Sequence, residues 1–223
     1  TLGSNSTALG AGALQAQNFT TATDSFNTAV GTYAGASITT GTNNTLIGRA
    51  CGDALTNVHH NVAVGSNALT ADTMGSRSTA IGTSALAAQN FTTATEVYNT
   101  AVGFEAGLSV TVGSGNTLIG ALAGDAITDG GTNTAVGYLA LSAEDGNGQN
   151  VAIGYRALTA QNAGAEAANV AVGRDAGMSV TTGIYNVLVG SYAGDALTDA
   201  DGNIAVGRHA LGADTLGSGS VAI

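Results

Sequence analysis

The chain has 223 residues, with 34 glycines, no proline, no tryptophan, aromatics at 4% and a formal net charge of -10 from five arginines, no lysine and fifteen acids. Phosphate backbones and anionic membranes call for clustered cations. Arg49, Arg77, Arg156, Arg174 and Arg208 are spread singly, so neither nucleic acid nor a basic membrane-docking patch is expected. No run of about eighteen apolar residues is present for a membrane span, and glycine without a triplet period or proline excludes collagen.

Taken in chain order, one five-residue motif recurs: Asn or Ser, Thr or a branched apolar residue, Ala or Leu, Val, Ile or Leu, then Gly. It closes at Gly10, Gly31, Gly48, Gly65, Gly82, Gly103, Gly120, Gly137, Gly154, Gly173, Gly190 and Gly207, and a thirteenth copy starts at Ser220. The steps are 17 residues except for 21 after Gly10 and Gly82 and 19 after Gly154. One strand-like motif per short period predicts an all-β, parallel β-solenoid (β-roll) with one coil per period, each burying its apolar face by stacking on the next. About twelve coils at about 4.8 Å each predict a rod about 58 Å long. The chain is read as a single continuous solenoid over 1–223. A slower four-coil period divides it into super-repeats 6–77, 78–149 and 150–219.

Within the motif, positions two and four point to one side of the strand and positions three and five to the other. Neither side carries charge. A strand wet on one side should alternate polar with apolar, so one face is expected to meet partner chains, which predicts a cyclic homo-oligomer. On this reading Ala135 is a trial position for the partner-facing side.

The slots around the strand are as regular. Position one is Asn27, Asn44, Asn61, Asn99, Asn116, Asn133, Asn150, Asn169, Asn186 and Asn203, and Ser in the other copies, which predicts a structural ladder of amides joining coil to coil at a turn. Three residues after each motif glycine stands Ala, with Cys51 as the exception. Cys51 is therefore read as filler of a small buried slot rather than as a nucleophile.

The NTAVG, NVAIG and STAIG motifs followed by xxAL or xxAG resemble the NTAIGxxAL arrays of bacteriophage tail fibres. They are also similar to the left-handed parallel β-roll of trimeric autotransporter adhesin heads. The resemblance covers the whole chain, although the 17-residue period is longer than that of adhesin heads. It implies a homotrimeric structural fibre protein, the shaft or head of a tail fibre that spaces or presents host-receptor binding, located on the virion or at an extracellular or cell surface. A host cell-surface receptor is the implied external partner. The same roll also serves as an adhesin head binding a host surface. Because the sequence starts and ends within repeats, it is expected to be part of a longer fibre. An ice-binding solenoid is the reading from another class: Thr28, Thr45, Thr100 and Thr117 share one slot, but Val62, Val151, Val170 and Ile204 interrupt it.

Signatures of chemistry are sparse. No zinc-protease, CxxC, nucleophile-elbow or phosphate-loop motif occurs, so no enzyme activity, catalytic residue, cofactor or metal is expected. His59 and His60 are read as divergent turn residues and His209 as a solitary one. Asp53, Asp125, Asp195, Asp129, Asp199 and Asp201 superficially resemble calcium-binding repeats. Equivalent acids lie four coils apart, however, roughly 19 Å at about 4.8 Å per coil, and are read as solvated carboxylates. If a recognition surface exists, the long coils are where it is expected. Their extra segments, Gln15 to Phe26 and Ala88 to Tyr98, hold the candidates Phe19, Phe26, Phe91 and Tyr98, while the third, Gln161 to Ala168, lacks both aromatics. The competing reading is that these rings pin the loops to the roll.

Overall fold

The computed structural model describes residues 3–146, 148–164 and 166–223. It is all-β, with no helix among the described residues. Packing divides the chain into two compact units, Thr1–Val112 and Gly113–Ile223, a boundary that falls inside the second super-repeat. In the first, strands Thr7–Leu9, Thr28–Val30, Thr45–Ile47, Val62–Val64, Thr79–Ile81 and Thr100–Val102 pair in parallel, each with the next. In the second, Thr117–Ile119, Thr134–Val136, Val151–Ile153, Val170–Val172, Val187–Val189, Ile204–Val206 and Val221–Ala222 do the same. Like pairs with like: Ala29 sits against Leu46, and Ala135 against Ala152. Each unit is thus a parallel β-solenoid.

The spacing of the motif glycine has a backbone cause. Gly10 lies at φ +131°, and a Cβ built there would stand 2.6 Å from the carbonyl oxygen of Gly31 on the next coil. Any side chain would therefore force the coils apart. Two residues later the chain turns through a left-handed corner, at Tyr33, Ala50, Asn67 and their equivalents, and it does so again two residues further on and just before the next motif. Most of these corner residues are not glycine, and the left-handed conformation costs an ordinary residue about 1–2 kcal/mol, so coil stacking must offset it many times over.

Interior filling explains the four-coil period. In the coils that follow Gly65 and Gly82, a leucine four residues after the glycine, Leu69 or Leu86, fills the centre and is fully buried. In the coils between, that position is glycine, and the space is taken by a residue three further on, such as Ile38 or Leu55, together with Leu46 from the strand. A Cβ on Gly52 would meet Leu55 at 2.6 Å and Leu46 at 3.0 Å. Coils with a central Leu and coils with Gly thus come two and two, and the space left at each Gly is filled by larger side chains from elsewhere in the coil, as close packing demands.

The asparagines run up the interior as an unbroken support within the described span of each unit. Asn27 Oδ1 accepts from the backbone N–H of Asn44 at 2.9 Å, Asn44 from Asn61 at 3.0 Å and Asn61 from Ser78 at 2.8 Å. In the second unit the same bond joins Asn116 to Asn133 at 2.9 Å and continues to Ser220. The amide nitrogens donate across the coil, as Asn61 does to Gly75 O at 2.9 Å. The ladder joins side chain to backbone at each step, with amide-to-amide bonds at 3.1 Å from Asn44 to Asn27 and from Asn203 to Asn186, and it is buried rather than set at a surface turn.

The strand faces correct one expectation. Position three is the inward side: Ala29, Leu46, Ala63, Ala101, Ala135 and Ala205 are all fully buried within their own unit. Ala135 is therefore core and cannot be the partner-facing position. Positions two and four face outward, with Leu9, Ile47, Ile81, Ile119, Ile153 and Val206 exposed. Sequence alone could not separate the faces, because small apolar residues occupy both.

Candidate functional site

Two exterior regions gather side chains able to make contacts. The first lies beside the long coil of the first unit, where Gly75–Ser76 pairs with Thr95–Glu96. Arg77 Nε meets Glu96 Oε1 at 2.9 Å, and the Tyr98 hydroxyl donates to Glu96 Oε2. These two partners, the tyrosine first, hold the Glu96 carboxyl below the usual carboxylate range, and Glu96 in turn raises Tyr98. His59 and His60 line the same depression, their rings tilted with centroids 6.4 Å apart. His59 Nδ1 accepts from Thr42 N–H at 3.2 Å and lies 2.9 Å from its hydroxyl. Burial, then His60 and Arg77, lower the His59 pKa, so its ring is neutral at neutral pH and serves as a hydrogen-bonding corner.

The four aromatic candidates separate into two pairs. Phe19 and Phe91 are 6% and 8% exposed, so they are not surface recognition residues. The loops are pinned to the roll: Phe91 N donates to Asp72 Oδ1 at 3.1 Å, and Phe91 O accepts from Met74 N at 2.9 Å. Phe26 and Tyr98 are left at the surface, 53% and 56% exposed, each on the left-handed corner before its motif. Beneath the second loop, fully buried Asp72 takes a bond from Gln89 Nε2 at 2.6 Å and another from Gly75 N at 3.0 Å. No cation is among the groups bonded to it, and burial raises its pKa despite these bonds.

The second region is on the outward corner of 113–223, and the sequence reading missed it. Arg156, Arg174 and Arg208, scattered along the sequence, stand one or two residues after motif glycines, and stacking sets them on one corner. Tyr138 and Tyr155 are stacked with centroids 5.7 Å apart, the Arg174 guanidinium lies 5.9 Å from Tyr155 and 5.4 Å from Tyr192, and Tyr192 stacks on His209 at 4.9 Å. Arg156 also lies over Tyr155, at 5.9 Å. Asp175 is buried between the two arginines, 3.1 Å from Arg174 Nε and 3.6 Å from Arg156 Nε. Arg208 occupies the register of Arg174 two coils on. A basic strip thus exists where none was expected. Reading the residues by their distance from the motif glycine would have found it.

Elsewhere two of the acids singled out in the sequence bond to neighbouring coils. Asp53 accepts from Thr70 Oγ1 at 2.6 Å, and Asp201 from Ile184 N at 2.8 Å. Cys51 is fully buried, its thiol directed at Ala63 O at 3.1 Å, and burial pushes its pKa up to about 12, so it is not a nucleophile at neutral pH. No family model matches the chain, and no curated protein or solved structure matches it.

Proposed function

We propose that the chain is a structural segment of an extracellular or virion fibre. It would be the shaft or head of a phage tail fibre, assembled as a homotrimer, that spaces or presents host-receptor binding. The observation that carries this reading is the outward strand face: every residue at positions two and four is Thr, Val, Ile or Leu, and these rows are half-buried or exposed in the isolated chain. An uncharged apolar strip of this extent marks a contact surface on a soluble protein. The trimeric form rests on the resemblance to tail fibres and adhesin heads, and an adhesin head is the nearest competing reading.

Sedimentation equilibrium of the unaltered chain tests it. A defined oligomer is expected, and Val136→Asp, on the outward face, should shift it towards monomer while keeping the β signal in circular dichroism. A folded monomer at micromolar concentration would count against the proposal. The outward threonines Thr28, Thr45, Thr79 and Thr100 favour ice binding as a second reading, and thermal hysteresis in the purified chain would establish it.

A further inference from the structure

We infer that the outward corner of 113–223 is a binding strip for an acidic polysaccharide. Charge segregation is the first observation. This span holds ten carboxylates and three arginines, and all three arginines fall one or two residues after a motif glycine, on the same corner. Of the ten carboxylates only Asp175 shares that register, and it is buried beneath Arg156 and Arg174. This acidic span has therefore collected its three arginines on one line.

The second observation is what the strip leaves available. Asp175 engages Arg174 through Nε, which fixes the guanidinium, and the arginine side chain is still 62% exposed. Arg208 is exposed in the same register. No hydrogen bond engages the hydroxyls of Tyr138, Tyr155 or Tyr192 among the described residues. Held guanidinium forks are suited to carboxylate and sulfate oxygens, and phenol hydroxyls to sugar hydroxyls.

Ligand class follows from what is already occupied. Tyr155 is already engaged by Tyr138 and two guanidinium groups and Tyr192 by Arg174 and His209, so flat bases cannot stack on these two rings. The strip offers ring edges and polar ends, without the apolar pocket that anchors a protein or peptide partner. Successive coils repeat at about 4.8 Å, so Arg174 and Arg208, two coils apart, present cations roughly 10 Å apart along the strip. A linear, hydroxyl-rich polymer carrying regularly spaced anionic groups fits this arrangement. The inference stands apart from the oligomer proposal, since it concerns the corner and not the strand face.

Titration calorimetry of the whole chain at low ionic strength tests it, with polygalacturonate as probe, neutral dextran and poly-glutamate as comparators, and the oligomeric state recorded in parallel. Binding to polygalacturonate but not dextran is expected, falling as salt rises because the cations are exposed. Arg174→Gln and Arg208→Gln should each weaken it about tenfold, Arg208→Gln with the melting temperature unchanged. Arg49→Gln, in the other unit, should leave it unaltered. Absence of polygalacturonate binding overturns the inference, as does an equal loss with Arg49→Gln. Poly-glutamate bound as tightly as polygalacturonate would replace the polysaccharide with an acidic peptide and overturn it too. Arg208, exposed and without a recorded contact, keeps the test valid if Arg174→Gln disturbs the buried Asp175.

Discussion

In residues 3–112 the outward second position of the motif strand is threonine in five of six strands, whereas in 113–223 it is threonine in the first two of seven and Val or Ile in the rest. The corner just after the motif glycine differs as well: Ala11, Thr32, Arg49, Ser66, Thr83 and Phe104 in the first unit hold one ring and one cation, whereas Ala121, Tyr138, Tyr155, Arg174, Ser191 and Arg208 in the second hold two of each. Inside, the two units are nearly interchangeable. Both have the asparagine ladder, the left-handed corners and the two-by-two succession of central Leu and Gly. Interior slots answer to backbone geometry that every coil shares, so they tolerate few residue types, while exterior slots answer only to what the surface must meet. The contrast between units is therefore where function should be sought.

If the interiors are equivalent, equivalent damage should cost the same in each unit. Gly65→Ala and Gly154→Ala both set a Cβ against the backbone carbonyl of the next coil at φ near +140°. Neither backbone can yield without opening the stack. Each should destabilise by about 4 kcal/mol or more, read from chemical denaturation. Tolerance at one site and not the other would break the comparison at its base.

Ala63→Asp and Ala135→Asp come next, placing an unpaired carboxylate in a sealed interior at a cost of about 3–5 kcal/mol. Their outward neighbours sharpen the point. Val64→Asp and Val136→Asp should cost the isolated chain under about 1 kcal/mol, because the charge stays in water. Urea titration of the four variants checks this, and similar losses for inward and outward residues would mean that the faces are wrongly assigned.

A smaller effect separates the buried acids at equivalent slots, Asp72 in one unit and Glu144 in the other. Asp72→Asn sets an amide NH2 against the Gln89 NH2, whose own oxygen is already committed to Asn99 at 2.9 Å, so about 1–3 kcal/mol should be lost. The pH dependence has a definite sign. Burial raises the folded pKa of Asp72 above the ordinary 3.8, so in the window above that value the folded state holds more protons than the unfolded. Asp72 therefore contributes a loss of stability as pH rises through that window, up to the raised folded pKa. The difference in unfolding free energy between the chain and Asp72→Asn should shrink accordingly from pH 4 upward, and a constant difference would show that Asp72 does not titrate there.

Much of this fold can be read from residue spacing, since motif glycines mark places where two backbones touch and asparagines mark the buried ladder. The assignment of faces could not be read, because Ala135 and Val136 are both small and apolar and only the direction of coil closure decides between them. Corners at Tyr33, Ala50 and Arg77 were hidden for another reason: these residue types carry no left-handed preference, and stacking imposes the conformation on them. The basic strip was obscured by sequence distance. Arg156 and Arg174 are 18 residues apart in the chain, yet both face Tyr155. Phe19 and Phe91 looked like recognition residues because they lie on insertions, but these insertions fold back onto the roll.

The weakest perturbation concerns the one interior slot where a single residue departs from all its equivalents. Cys51 stands where the matching coils have Ala123 and Ala193, and all three are fully buried. Cys51→Ala removes a sulfur whose hydrogen bond to Ala63 O is weak, and it leaves a methyl that the other coils accommodate without strain. The change in stability should stay within about 1 kcal/mol. Cys51→Leu adds volume to a layer already filled by Leu46 and Leu55, and should cost about 1–3 kcal/mol. The thiol should also resist labelling in the folded chain, because burial holds its pKa at about 12 and leaves almost no thiolate at neutral pH. Labelling at the rate of a free thiol under native conditions would show that this coil opens locally, and that the interior of the first unit is less uniform than the repeat implies.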